Sequence, residues 1–210
     1  MGGHALPEKS FTKGRRLSVI LTEGFSARSK IERHEGRAFT ILSRTEILRL
    51  IDEGKLNINP FSKRQVGPGS VDLTLGNVFR VFEKIRGIIH VKGDPHVERF
   101  TKLVTVKDGD YLLLMPGELV HGITRELIAL PDDVAGWIEG RSSYARMGLM
   151  IHMSAGLVQP GTRNRQVLEV SNMSPAPIAL YPGARICQLV LESVQGRARY
   201  GGRFRRQRRP

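Results

Sequence analysis

From about residue 70 onward, the chain is a succession of short apolar or alternating runs interrupted by glycine, proline and asparagine. Runs of this length and spacing are typical of antiparallel strands in a sandwich or barrel, whereas strands separated by helical patterns would indicate a parallel sheet. The sequence therefore predicts a mainly β fold. The runs are residues 71–75, 78–82, 111–115, 167–170, 178–180 and 186–191.

One helix is predicted ahead of these strands. Ser43 and Glu46 have the spacing of a capping box, in which both side chains satisfy backbone donors at a helix start. An apolar face follows, and Gly54 stands where the helix would end. The pattern leaves open whether residues 144–150 form a second helical segment. The apolar face consists of Ile47, Leu48, Leu50 and Ile51.

The net charge of +13 is concentrated at the two ends of the chain. Residues 1–38 carry eight Lys or Arg and four acids, residues 197–210 carry seven Arg and no acid, and residues 39–196 are nearly neutral. We therefore expect a basic N-terminal extension with at most one strand, a β domain over 39–196, and a tail that is mobile without a ligand. Because a nucleic-acid module carries its basic stripe on the folded domain, this charge distribution does not predict such a module, and any contact with nucleic acid would involve the tails only.

The sequence indicates a protein of the cytoplasm. No apolar run is long enough to cross a bilayer, and the N-terminus lacks the apolar segment of a secretory signal. Cys187 is the single cysteine, so an internal disulfide is excluded, which suits a reducing compartment. Because Cys187 lies within an apolar run, it is predicted to be a small buried core residue.

Two polar features could carry chemistry. Residues 139–146 place two serines and two arginines around a glycine turn, where their donors could bind phosphate; a solvated turn with an N-cap serine is the alternative. Glu169 is expected to share a strand face with Val167, opposite Leu168 and Val170. Between apolar neighbours its carboxyl group would have a raised pKa suited to proton transfer; the alternative is a glutamate that faces solvent or pairs with an arginine.

The sequence contains neither a Cys-x-x-Cys pair nor a His-x-Glu motif joined to cysteines, so the usual zinc deaminase site cannot be built. Without zinc, an enzyme that hydrolyses an amino group would have to activate the water molecule with protein groups alone. Neither a Walker A motif nor a Rossmann fingerprint is present. His152 is predicted to be a hydrogen-bonded core histidine, and Asp72 a buried structural partner of the backbone or of an arginine.

Several motifs in unbroken order over residues 40–207 together resemble the dCTP deaminase/dUTPase family, in particular its dCTP deaminase branch. Two early segments resemble the opening of a dCTP deaminase, and later ones resemble its phosphate-binding motif, the segment with the catalytic glutamate and the strand after it. In order, these motifs are residues 50–60, residues 69–77, residues 130–149 with Gly140-Arg141-Ser142-Ser143-Tyr144-Ala145-Arg146, residues 167–169, and residues 181–189.

The resemblance implies a dUTPase-like β-clip fold, a distorted barrel or jelly roll with a few short helices. It also implies homotrimers whose active sites lie between subunits. The ligands would be dCTP, with dUTP or dTTP as further candidates, and Mg²⁺ would be bound through the triphosphate, with no zinc. The arginine-rich tail would act as a flexible lid that orders when it meets phosphate.

The same resemblance implies roles for individual residues. Glu169 would be the general acid/base that takes a proton from the water attacking C4 of cytosine and returns it to the departing amine. Ser142 would hold that water or its oxyanion, and Arg146 would keep Glu169 oriented and ionised. The implied substrate-binding residues are Arg141, Ser143, Ala155, Gln159, Val167, Gln188, Tyr200, Arg203 and Gln207.

Two features depart from the family pattern, and a third resembles the pattern of its bifunctional members. Gln159 stands where the family has an acid that helps to recognise the nucleoside and that activates water in dUTPases. An amide is a poor general base, which argues against dUTP hydrolysis. Gly156, in contrast, resembles the bifunctional enzymes that also hydrolyse dUTP. Residues 162–165 replace an aromatic-x-glycine turn, so a different pocket shape is expected.

Three functions are compatible with these residues. The first is zinc-independent deamination of dCTP to dUTP and ammonia in pyrimidine deoxynucleotide metabolism. The second is a bifunctional dCTP deaminase and dUTP diphosphatase. The third is a catalytically weakened nucleotide-binding regulator with tails that contact nucleic acid; Glu169, Ser142 and Arg146 argue against this third function, whereas Gln159 and the tail favour it.

Overall fold

The computed structural model describes residues 40–84, 87–92 and 97–210, so the N-terminal extension and the strand expected in it lie outside the described residues. Strands predominate, as the sequence predicted. In chain order the helices and strands are α1 (Arg44–Asp52), β1 (Asn57–Asn59), β2 (Ser70–Thr74), β3 (Val78–Phe82), β4 (Thr101–Thr105), β5 (Leu112–Leu114), β6 (Leu119–Ala129), β7 (Val134–Gly140), α2 (Ser142–Ala145), β8 (Leu149–Ile151), β9 (Leu157–Val158), β10 (Arg163–Asn172), β11 (Ile178–Leu180) and β12 (Arg185–Ser193), with short 3₁₀ helices at Lys63–Gln65 and Val97–Arg99.

All six predicted strand runs coincide with or overlap an observed strand. The runs at 78–82 and 178–180 match β3 and β11, and the others overlap β2, β5, β10 and β12. The long strands β6 and β7 were not predicted, because charged residues and glycines interrupt their apolar pattern. The sequence left undecided whether residues 144–150 are helical. In the structure they form the end of α2, a turn and the start of β8.

The strands form three antiparallel sheets. The largest has the order β4-β3-β6-β10-β8, with β1 also paired to β6; the second has the order β2-β12-β7-β9, and β5 pairs with β11. The mainly β fold predicted from the sequence is confirmed, and within the described ranges the sheets do not close into a barrel. No helix in the part of the chain that the structure describes has the length and apolarity to span a membrane.

Helix α1 begins and ends as its sequence predicts. The Ser43 hydroxyl accepts a hydrogen bond from the Glu46 N–H at 3.5 Å, and the Glu46 carboxylate also pairs with Arg49 one turn later. Gly54 follows the helix with a φ of +68°, a left-handed conformation that glycine adopts without a Cβ clash. Ile47 and Leu50 are buried, so the predicted apolar face is anchored in the core.

The core is a single cluster of mostly aliphatic side chains, together with Phe79 and Cys187, contributed by α1 and by all three sheets. Cys187 on β12 is fully buried, as predicted, and burial raises the pKa of its thiol, with smaller contributions from Glu126 and Asp72. A neutral buried thiol is a packing group, so Cys187 has no reactive role here.

Strand β10 places the candidate catalytic glutamate. Leu168 and Val170 are fully buried, whereas Val167 and Glu169 are half-buried on the other face, which confirms the predicted alternation. The pairing of β10 with β6 shifts register between Arg165 and Val167. The strand-to-strand hydrogen bonding is interrupted here. The Gln166 N–H instead donates to the Thr124 hydroxyl at 2.9 Å, so this backbone donor still has a partner.

Candidate active site

A cleft of about 510 Å³ lies beside β10 and is bordered by the C-terminal tail. Seven of the residues predicted to be catalytic or substrate-binding lie in its lining, although they come from three separate stretches of the chain, 155–159, 167–169 and 200–207. Strand pairing and the docking of the tail bring these segments together. The seven residues are Ala155, Gln159, Val167, Glu169, Tyr200, Arg203 and Gln207.

The carboxylate of Glu169 is held by three donors. The N–H of Met153 donates to Oε2 at 2.8 Å, the N–H of Ser154 donates to the same oxygen at 2.7 Å, and the Ser154 hydroxyl donates to Oε1 at 2.7 Å. These contacts arise because β8 pairs with β10 at Ile151, so the chain that leaves β8 turns directly over the Glu169 side chain.

Burial is the largest single influence on Glu169 and raises the pKa of its carboxyl group. The Ser154 hydroxyl and N–H, the charge of His152 and the Met153 N–H all act in the opposite direction, and together they outweigh burial, so the pKa is lowered. The raised pKa expected from the sequence is therefore wrong. Apolar neighbours in the strand predicted burial, but the donors come from a loop that strand patterning does not reveal.

His152 also differs from its prediction. It is hydrogen-bonded, since its Nδ1 accepts from the Glu169 N–H at 3.0 Å, but it is half-buried in the cleft wall and does not belong to the core. The reason is that the regular strand β8 ends at Ile151, so the side chain of the next residue is free to turn toward the cleft.

Arg80 and His121 are among the cleft residues that the sequence analysis did not single out. Arg80 on β3 pairs in register with His121 on β6, which in turn pairs with Glu169 on β10, so the three lie side by side across adjacent strands. Burial lowers the pKa of His121, Arg80 and His152 lower it further, and Glu169 opposes them. The signal that could have found His121 is its place in the apolar stretch that opens β6, between Val120 and Gly122.

Gln159 lies in the cleft with an exposed side chain, directly after β9. Among the described residues that line the cleft, the acids are Glu98 and Glu169. At position 159 the cleft therefore presents an amide, which can donate and accept hydrogen bonds but does not accept a proton at neutral pH.

The C-terminal tail packs along the outer side of the cleft. The Tyr200 N–H donates to the Pro160 carbonyl at 2.8 Å, and the Asn164 side-chain amide donates to the Phe204 carbonyl at 2.8 Å. At the far end, Arg80 Nε donates to the Pro210 backbone oxygen at 2.9 Å. The tail thus has defined contacts in this structure, and the mobility expected of it without a ligand stays a prediction.

The remaining predicted site residues lie elsewhere on the chain. Arg141 follows β7; its Nε is 3.5 Å from Asp72 Oδ1, and its Nη1 donates to the Arg185 carbonyl at 3.0 Å. Asp72 also lies 3.8 Å from Arg185 Nη1, so its predicted role as a partner of arginine is confirmed, although its side chain is 21% exposed and not fully buried. Gln188 lies in the same region, where its side-chain amide donates a hydrogen bond to the Gly140 carbonyl at 3.3 Å.

Ser142, Ser143 and Arg146 are exposed on or beside α2, and within one chain they do not line the Glu169 cleft. The N-cap of α2 is Arg141, not a serine, so the alternative of an N-cap serine is wrong. A single chain therefore carries two separate surfaces. One is the cleft with Glu169, and the other is the cluster of exposed hydroxyls and guanidinium groups at 141–146.

Within the described residues, no group of three or more His, Cys, Asp or Glu side chains is arranged to hold a metal ion. This donor set does not fit an all-protein cage for a divalent cation.

Comparisons with known proteins agree on one family. The model of the dCTP deaminase-like family matches residues 41–194. A dCTP deaminase, dUMP-forming, from Corynebacterium kroppenstedtii is 42% identical over 177 residues, which cover 81% of this chain and 94% of the relative. The enzyme of the same name from Methanothermobacter thermautotrophicus is 42% identical over 157 residues, covering 73% of this chain and 79% of the relative.

A solved structure has a similar fold. The 2'-deoxycytidine 5'-triphosphate deaminase from Agrobacterium tumefaciens superimposes with a TM-score of 0.59 and 24% identity, over 75% of this chain. The match spans 49% of that protein, which is about half of its length. At this identity the likeness concerns the fold alone.

Proposed function

The chain belongs to the dCTP deaminase-like family, and on that premise we propose that it hydrolyses the 4-amino group of dCTP without zinc, with Glu169 as the catalytic acid/base. The single observation that carries this proposal is the half-buried, triply hydrogen-bonded Glu169 carboxylate in a cleft large enough for a nucleotide. A lowered pKa keeps this group ionised at neutral pH, which is the form that accepts a proton.

The proposed reaction uses this carboxylate twice. Glu169 takes a proton from a water molecule as its oxygen bonds to C4 of the cytosine ring. The protonated carboxyl then gives the proton to the 4-amino group, the C4–N bond breaks, and ammonia leaves. Because the pKa of Glu169 is lowered, its protonated form is a better donor for the second transfer, while its carboxylate is a weaker base for the first. Water and dCTP are thereby converted to dUTP and ammonia.

We assign the other half of the site to residues 141–146 of a neighbouring copy of the chain. Ser142 would hold the attacking water, Arg146 would face Glu169, and Arg141 with Ser143 would bind phosphate oxygens. Two observations support a shared site: Ser142, Ser143 and Arg146 are exposed, and within one chain all four side chains lie outside the Glu169 cleft. We therefore propose a homotrimer, as the family resemblance implies, in which each site combines two subunits.

The nucleotide would enter the cleft with Mg²⁺ on its triphosphate. Ala155 and Val167 would contact the base, Gln188 would contact the nucleotide from the side of Gly140, and Tyr200, Arg203 and Gln207 of the tail would cover the phosphates. The positions of the three tail residues in the cleft lining support this assignment. Mg²⁺ commonly binds through substrate phosphates with few protein ligands, which agrees with the donor set of this chain.

We propose dUTP as the product that is released. Hydrolysis of dUTP needs a base for a second water molecule, and the cleft has an amide at Gln159 where the family has an acid. The second candidate is direct formation of dUMP and pyrophosphate, which the names of the bacterial and archaeal relatives favour. The two reactions share the deamination step and differ only in the fate of the triphosphate.

The test follows the products of dCTP with Mg²⁺ in excess and zinc chelated. We expect ammonia and dUTP in equal amounts from the wild type, and a rate at least a hundred-fold lower from Glu169→Gln with nucleotide binding retained. Equal turnover by the variant would refute the assignment of Glu169. Stoichiometric pyrophosphate from the wild type would refute dUTP as the product, and absence of ammonia together with nucleotide binding would favour the regulatory alternative.

A further inference from the structure

The tail and the first residues of β10 together form a strongly basic surface outside the cleft. We propose that this arginine surface binds single-stranded nucleic acid. The inference goes beyond the proposed deamination, because none of the residues that define the surface lines the cleft. They are Arg163, Arg165, Arg205, Arg206, Arg208 and Arg209.

Backbone hydrogen bonds bring these arginines together. The N–H of Arg163 donates to the Arg205 carbonyl at 3.3 Å, and the N–H of Arg165 donates to the Gln207 carbonyl at 3.1 Å. The Arg208 guanidinium donates to the Arg163 carbonyl at 3.3 Å. The tail is therefore docked on the edge of β10, and arginines that are forty residues apart in the sequence share one surface.

The charge of this surface is not balanced within the described part of the chain, where none of the six arginines forms an ion pair with a carboxylate. Asp132, the acid that contacts the tail, pairs with Arg199 at 2.9 Å and with Arg197 at 3.8 Å. Six guanidinium groups held together repel one another, and a polyanion relieves that repulsion while it releases its own counterions.

The geometry suits a nucleic acid strand. Arg163 and Arg165 are two residues apart on β10, so their side chains leave the same face of the strand, roughly 6.6 Å apart along its axis, and can contact different phosphates of one nucleic acid strand. A guanidinium group binds a phosphate through two hydrogen bonds.

An unpaired base also has a surface on which to stack. Phe204 lies where the arginine surface meets the cleft, and its side chain is 50% exposed. The Arg203 guanidinium lies 5.5 Å from the centroid of its ring, so a base would stack on the opposite face of the ring. Aromatic rings beside cationic residues are the common platform for single strands, whereas a duplex keeps its bases stacked on each other. This contact favours a single strand over a duplex or a lipid surface.

The experiment measures binding of a fluorescein-labelled oligo(dT) by anisotropy over a range of NaCl concentrations, with the full-length protein. We expect Arg208→Gln/Arg209→Gln to weaken binding about ten-fold and to reduce the slope of log K against log salt by roughly 1.4, the share of two phosphate contacts on a single strand. Arg163→Gln should weaken binding as well, because the surface includes β10.

The matched control is Lys102→Gln/Lys107→Gln, which removes the same charge from exposed positions outside the arginine surface. Far-ultraviolet circular dichroism of every variant reports that the protein is folded, and ammonia release from dCTP is measured separately, so failure of this inference is distinguishable from failure of the proposed function. The inference is overturned if both double variants weaken binding equally, if Arg163→Gln has no effect, or if duplex DNA or phosphatidylserine vesicles bind as tightly as the oligonucleotide.

Discussion

Ser154 holds the carboxylate of Glu169 at both oxygens: its hydroxyl donates to Oε1 and its N–H donates to Oε2, each at 2.7 Å. These donors, which favour the ionised form, help to outweigh the burial that would otherwise keep the acid protonated. Ser154 is therefore a positioning residue that acts through the proposed catalytic group, and its removal has a definite consequence for the pH dependence of turnover.

Ser154→Ala removes the hydroxyl but keeps the backbone donor. Because the lost hydrogen bond favours the ionised carboxylate, the pKa of Glu169 should rise, and the acid limb of kcat/KM should move to higher pH. We expect about a ten-fold loss of ammonia release at acid pH, the size of one charge-assisted hydrogen bond, and a smaller loss at alkaline pH. Steady-state kinetics over a pH series measures this. Ser154→Thr, which keeps a hydroxyl, is the control, and an unmoved acid limb in the alanine variant would contradict the prediction.

Gln159→Asp places a carboxylate in the cleft where the wild type has an amide. If the missing base is what prevents dUTP hydrolysis, the variant should release dUMP and pyrophosphate from dUTP at least ten-fold faster than the wild type, while ammonia release from dCTP continues. Chromatography of the nucleotide products measures both reactions. Gln159→Asn keeps an amide and should resemble the wild type. Rapid dUMP formation by the wild type itself would show that position 159 is not the determinant.

Asp72→Asn removes a charge that faces both Arg141, at 3.5 Å, and Arg185, at 3.8 Å. Such partly exposed pairs contribute about 0–1 kcal/mol, so the effect should be modest. Because Arg141 is proposed to bind phosphate, KM for dCTP should rise by up to about five-fold while kcat changes little. Glu53→Gln, which removes a carboxylate paired with Arg49 on α1 and with Lys55 beyond the helix end, is the matched control. A fall in kcat at constant KM would assign Asp72 another role.

Patterns of neighbouring residues in the sequence predicted the burial of individual strand side chains and the two ends of α1. The two-residue period around Glu169 placed Leu168 in the core and Glu169 on the opposite face, because successive side chains of a strand point to opposite sides. The cap at Ser43 and the glycine at Gly54 located both ends of α1. Cys187 was placed in the core because its neighbours in the strand are apolar.

Residues distant in the sequence set the rest of the site, so only the tertiary structure decided it. Ser154 reaches Glu169 because β8 pairs with β10, and this contact reverses the direction of the pKa shift expected from burial alone. Arg80 and His121 enter the cleft through strand register, and the tail is held against β10 by backbone hydrogen bonds. Periodicity in the sequence shows which face of a helix or strand is buried. It carries no information about which other segment covers that face. The polar contacts with the covering segment set the protonation state of Glu169.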